Sequence, residues 1–114
     1  MLLTEEILNT DKLEHMTTAH MFWHGPLTQF QIGSMLSIQK AGFDVVVWSI
    51  DPLELPTGIE NRDSGELVDK DLLDEYLYIH WKDEDYPKEK SRAVFYSDLV
   101  RIYAVAKHGG WWFD

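Results

Sequence analysis

The spacing of apolar and polar positions changes several times along the chain, and each change predicts an element. Residues 19–23, AHMFW, read as a short strand, closed by the punctuation of His24, Gly25 and Pro26. Over residues 27–41, LTQFQIGSMLSIQKA, the apolar positions Leu27, Phe30, Ile32, Leu36 and Ile38 recur at roughly helical intervals. Gly42 then stands where a helix C-terminus favours glycine. The next run, FDVVVWSID over 43–51, holds Val45, Val46, Val47 and Trp48 in succession. Apolar on consecutive positions and β-branched, it predicts a strand covered on both faces, as in a parallel sheet. Strand, helix and strand in this order make a βαβ unit.

Beyond it the pattern loosens. Residues 52–65 carry Pro52, Pro56, Gly58 and Gly65 and read as irregular chain with a short extended piece. A helix fits 67–79, followed by an aromatic stretch, Tyr76, Tyr78 and Trp81, and an exposed loop over 82–90. A second clear helix spans 91–107, with Phe95, Leu99, Ile102 and Ala106 on one face. His108, Gly109 and Gly110 stop it, and WWFD begins a further strand. Near the start, residues 4–16 fit a short helix with a patchy face of Ile7, Leu8 and Leu13. The fold class expected is therefore α/β: a Rossmann-like, mostly parallel sheet with flanking helices. Residues 1–18 read as an extension and 19–114 as the folded part. Because the pattern stops as a strand starts, the sequence reads as the N-terminal part of a longer domain.

Composition narrows the functions. A chain of 114 residues, 45% hydrophobic and 13% aromatic, is one globular domain and not a disordered segment. With no cysteine, disulfide frameworks, thiol nucleophiles and thiolate zinc sites are excluded. The formal charge of −10 disfavours nucleic acid and anionic membrane as partners. Residues 60–90 hold eleven acids against five bases, a run best read as a solvated face. The N-terminus has no basic region and is not a secretory signal.

Ligands of open α/β sheets bind beyond the carboxyl ends of the strands. Those ends carry Trp23-His24-Gly25, Trp48-Ser49-Ile50-Asp51, and Asp114. Trp23 is suited to stacking on a base or sugar face, or equally to packing in the core; Trp48, beside three valines, leans to the core. Asp98 and Arg101 share one helix face, either as an ion pair or as a carboxylate and a guanidinium aimed at hydroxyls and phosphate. Asp114 follows an apolar strand, a place suited to a hard cation. The spacing of His15, His20 and His24 straddles a predicted strand and argues against zinc. Neither a phosphate-loop motif nor a nucleophile elbow is present.

The stretches AHMFWHGPLTQFQIGSMLSIQKAGFDVVVWSIDP and AVFYSDLVRIYAVAKHGGWWFD together resemble the DXD-type, nucleotide-sugar-dependent glycosyltransferases of the GT-A fold, in the capsular-polysaccharide-synthesis and glycosyltransferase-32-like group. The second stretch is similar to that family's Ser-Asp-x-x-Arg helix, Gly-Gly turn, aromatic strand and first aspartate of DXD. The resemblance implies that Trp23 stacks on the nucleotide base, with His24 and Gly25 lining its pocket; Trp48 joins the donor-binding candidates through its place near a strand end. It implies that Asp98 and Arg101 contact the donor sugar and its diphosphate, and that Asp114 serves a Mn²⁺ or Mg²⁺ site. The family's second DXD carboxylate would be residue 116, past the last residue of this sequence. The resemblance implies metal-dependent, retaining transfer of a sugar to a glycan or lipopolysaccharide-type acceptor, expected in the cytoplasm, by a fragment with little activity alone. The alternatives are a non-catalytic nucleotide or sugar-nucleotide binding module, with pairing through an open sheet edge, and an acidic interaction protein using residues 60–90.

Overall fold

The computed structural model describes residues 17–71 and 88–114. Four strands, β1 (Thr18–Phe22), β2 (Asp44–Ser49), β3 (Glu60–Asp63) and β4 (Trp111–Trp112), form one sheet in the order β3-β2-β1-β4. All three pairings are parallel. Two helices, α1 (Gln29–Lys40) and α2 (Lys88–His108), flank it. The expected α/β class is what the chain adopts. The strand order runs outward from β1 in both directions, so the topology reverses between β1 and β4.

Strand alternation sorts the side chains into two cores. Val45 and Val47 join Met21, Ile59 and Met35 of α1 on one face. Val46 and Trp48 join Tyr96, Val100 and Ala104 of α2 on the other. This division explains the unbroken apolar run of β2, which faces a helix on each side.

Helix α1 starts at a capping box, in which the Gln31 side-chain oxygen accepts the Thr28 N–H at 2.9 Å. Its expected stripe is only partly right. Met35 is its buried residue, while Phe30 is 84% exposed and Leu36 is also exposed. Met35, with the partly buried Ile38, is the side of the helix that packs on the core, where a flexible thioether adapts to the gap.

In α2 the expected face of Phe95, Leu99, Ile102 and Ala106 is rotated from the real one. The buried residues are Tyr96, Val100 and Ala104, while Ile102 is 58% exposed. Ala104 allows close approach to the sheet. Tyr96 satisfies its hydroxyl inside the core, donating to the Val68 carbonyl at 2.8 Å and bonding Ser64 Oγ at 3.0 Å.

The extended piece expected within 52–65 is β3, an edge strand of polar sequence. The helix expected over 67–79 does not begin inside the described residues. A 3₁₀ turn at Ser64–Glu66 precedes it, and residues 67–71 form turns. Asp63 caps the first turn through Gly65 N–H, and Asp69 accepts from Asp71 N–H, local bonds that compete with a regular helix. The remainder of that segment, the aromatic stretch at Tyr76, Tyr78 and Trp81, and the 4–16 helix lie outside the described residues. Of the loop expected over 82–90, residues 82–87 lie outside the described residues, and 88–90 instead belong to α2.

One buried link ties three elements together. Trp48 Nε1–H donates to His20 Nδ1 at 3.0 Å. An indole nitrogen only donates, so His20 carries its proton on Nε2, which donates to the Gly109 carbonyl at 2.9 Å. His20 is 1% exposed and thereby fastens β2, β1 and the turn after α2. Among the described residues, no helix is long and apolar enough to cross a membrane.

Candidate functional site

The reversal of strand order makes the carboxyl ends of β1 and β4 the natural ligand edge of this sheet. β1 runs out at Phe22, and Trp23 N–H still donates to the Trp48 carbonyl at 3.0 Å. The chain then turns through Gly25, whose φ of +106° is a conformation that side chains with a Cβ rarely adopt. That turn aims two carbonyls back at the indole. Trp23 Nε1–H donates to Gly25 O at 3.0 Å and to Pro26 O at 3.2 Å. The ring is half-buried against the α1-side core, held by its polar edge, with its remaining surface toward solvent.

Opposite, α2 ends in two glycines of positive φ, Gly109 at +70° and Gly110 at +87°. They reverse the chain within two residues and start β4 alongside β1. Trp112 pairs with His20 in the ladder, and Phe113 N–H donates to the His20 carbonyl at 2.9 Å. Asp114 therefore emerges next to Trp23.

Two adjoining hollows fill the space between. One, of about 370 Å³, is lined by Phe22, Trp23, His24, Val94, Ser97, Asp98 and Asp114. The other, of about 300 Å³, shares Phe22, Trp23, Ser97 and Asp114 and extends past Phe30, Gln31 and Ser34 of α1. The shared residues make them one groove. Its walls are largely aromatic, its polar groups are hydroxyls, carboxylates, the Gln31 amide and the His24 imidazole, and among the described residues no lysine or arginine lines it.

Of the residues singled out in the sequence, Trp23, His24, Asp98 and Asp114 line this groove together. Gly25 shapes its rim. Arg101 stands one turn along α2, with Nη2 3.7 Å from Asp98 Oδ1 and its side chain half exposed. It flanks the groove without lining it. Trp48 lies elsewhere: it is 0% exposed, bonded to His20, and has the Arg62 guanidinium 4.9 Å from its ring centroid. As placed, it is a core residue that a ligand does not reach; the apolar run that makes β2 a central strand also draws its tryptophan inside.

Phe22, Ser97 and Val94 were not singled out, although the first two adjoin residues that were. Phe22 faces α2 because strand positions alternate. Ser97 and Val94 reach the groove because they lie one residue and one turn before Asp98 on α2.

The remaining polar cluster at this edge has a different character. At the ends of β2 and β3, a hollow of about 260 Å³ is lined by Ser49, Ile50, Asp51, Pro52, Asn61, Asp63 and Lys70. Lys70 Nζ donates to Ile50 O at 2.7 Å and pairs with Asp63 Oδ1 at 2.8 Å. The Lys70 hydrogen bond, aided by Gly65 N–H, holds the Asp63 carboxyl below the usual carboxylate range, and Asp63 in turn raises Lys70. Asn61 donates to Val47 O and to Ser49 Oγ and accepts from Leu53 N–H. Among the described residues no group of three histidines, cysteines or acids is arranged to hold a metal ion. Comparison with protein-family models, curated proteins and solved structures finds no match to this chain.

Proposed function

We propose that this chain provides the nucleotide-sugar-binding part of a GT-A glycosyltransferase. The reading is carried by the groove at the strand-order reversal, where Trp23, Asp98 and Asp114 line one hollow. An indole with an open face suits a nucleobase or sugar ring, since stacking tolerates any planar or ring-shaped partner. Asp98 and Ser97 offer an acceptor and a hydroxyl to sugar hydroxyls. Arg101, tethered loosely to Asp98, can swing its guanidinium to a phosphate at the groove's edge.

A diphosphate entering a groove walled by Asp98 and Asp114 meets like charge and no lysine or arginine on the lining. Two carboxylates fit a hard cation, which commonly takes one or two protein oxygens and completes its shell with phosphate and water. Asp114, with Asp98 lining the same hollow, would hold Mn²⁺ or Mg²⁺, and such a cation would supply the positive charge that a diphosphate needs there. The acceptor in this reading is a glycan or lipopolysaccharide-type molecule, and the setting is the cytoplasm, where sugar nucleotides are usually made.

A second reading is a binding module without catalysis, in which the half-buried Trp23 stacks on the ligand and Asp98 and Asp114 accept from its hydroxyls with no cation between them. Calorimetric titration with UDP and UDP-sugars, with and without Mn²⁺, separates the two. The transferase reading expects affinity that rises with metal, and the module expects affinity indifferent to it. In either case Trp23→Ala should weaken nucleotide binding by about 1–3 kcal/mol. An unchanged affinity would remove Trp23, and with it the groove, from the ligand site.

A further inference from the structure

We propose that Trp112 is a positioning residue for Asp114, fixing the carboxylate that the groove presents to a ligand. The proposal rests on the donor-site reading and names a residue that reading does not use. Positions 112 and 114 fall on the same side of an extended chain. Trp112 Nε1–H donates to Asp114 Oδ1 at 2.8 Å. Such a bond to an ionised acceptor is among the stronger kinds.

The donor is itself held on a rigid element. Trp112 is half-buried and packs against the core built from Val46, Trp48, Tyr96, Val100 and Ala104. Its backbone pairs with His20, whose ring also clamps the Gly109 carbonyl at the start of the same turn. Asp114 is exposed and follows the last paired strand residues, so its side chain would otherwise sample several rotamers. With Oδ1 engaged by the indole, Oδ2 is the oxygen left for the hollow that Asp114 lines. The groove thus meets its ligand with one acid oxygen already ordered, and ligand binding need not bear that ordering cost.

The test combines a ligand-free and a ligand-bound readout. In ¹⁵N-labelled protein without ligand, the Trp112 indole N–H resonance should shift on Asp114→Ala; an unmoved resonance overturns the bond and the proposal. With UDP and MnCl₂ as the probe, Trp112→Phe should weaken binding about tenfold or more. In the Asp114→Ala background the same change should have almost no further effect, which a merely structural tryptophan would not reproduce. Equal UDP affinity of wild type and Trp112→Phe overturns the positioning role. If wild type binds no UDP while the indole resonance still shifts, the donor-site reading is overturned and the tethered carboxylate stands. Should Trp112→Phe fail to fold, the resonance of the Asp114→Ala protein still decides whether the bond exists.

Discussion

The two ends of the sheet's carboxyl edge are built from similar residues and behave differently. At β2 and β3, Ser49, Asn61, Asp63 and Lys70 surround a hollow, yet their hydrogen bonds turn inward. Ser49 Oγ donates to Asp51 O at 2.6 Å and accepts from Asn61; Lys70 bridges Ile50 O and Asp63. At β1 and β4, the Asp98 carboxylate has a loose 3.7 Å ion pair, and Asp114 has one bond on one oxygen. Polar residues on a ligand edge become architecture when neighbouring loops supply partners at hydrogen-bond distance. They stay open to a ligand where aromatic walls supply none. A polar cluster read from sequence does not separate these cases; the partners do.

The contrast can be broken first through the core beneath both ends. Trp48→Ala should cost about 3–5 kcal/mol in urea unfolding, because it empties a fully buried site and removes the donor to His20. A loss under 1 kcal/mol, as at surface sites, would mean that the two ends do not share that support. Next in size, Asn61→Ala should cost about 1–3 kcal/mol, since it strips partners from Val47 O, Ser49 Oγ and Leu53 N–H. Its nucleotide affinity, measured by the same titration as for Trp23→Ala, should stay at the wild-type level. A large loss of affinity would move the ligand to the β2–β3 end.

The smallest effect is electrostatic. Asp63 is more acidic in the folded chain, chiefly through its hydrogen bond with Lys70. Its contribution to stability is therefore present above the unfolded carboxyl pKa of about 3.9 and fades as pH falls through the lower folded value. Lys70→Met should flatten this acid limb in melting curves recorded from pH 2 to 6, with a small loss of stability near neutral pH, small because the pair is exposed, that vanishes as the two proteins converge at low pH. An acid limb equally steep in the variant would assign the effect to other carboxylates.

Much of this arrangement was legible in the residues. The run Val45–Trp48 announced a central parallel strand, and the helix and strand before it fixed the βαβ start. Asp98 was marked by its spacing from Arg101 on one helix face, and Asp114 by its place directly after an apolar strand. What could not be read was phase and depth. Helix α2 is apolar on two sides, so Phe95, Leu99 and Ile102 outscored the true core line, whose Tyr96 and Ala104 look less hydrophobic. Their burial depends on the Val68 carbonyl and the sheet's proximity, which no local pattern encodes. Trp48 was placed near the ligand edge because it stands late in β2. Its side chain instead points to α2 and His20. β3 was faint because an edge strand of sequence ENRD has polar residues throughout.

The two-glycine reversal between α2 and β4 has a mechanical corollary. Asp98 rides on the helix and Asp114 on the strand, with only Gly109 and Gly110 between those elements and His20 gripping the first of them. Such a short, pinned elbow leaves little slack, so a tilt of the helix must carry the strand tip with it. The gap between the two acids is then governed by one lever instead of two independent arms, and a guest that prises it wider has to work against the whole helix.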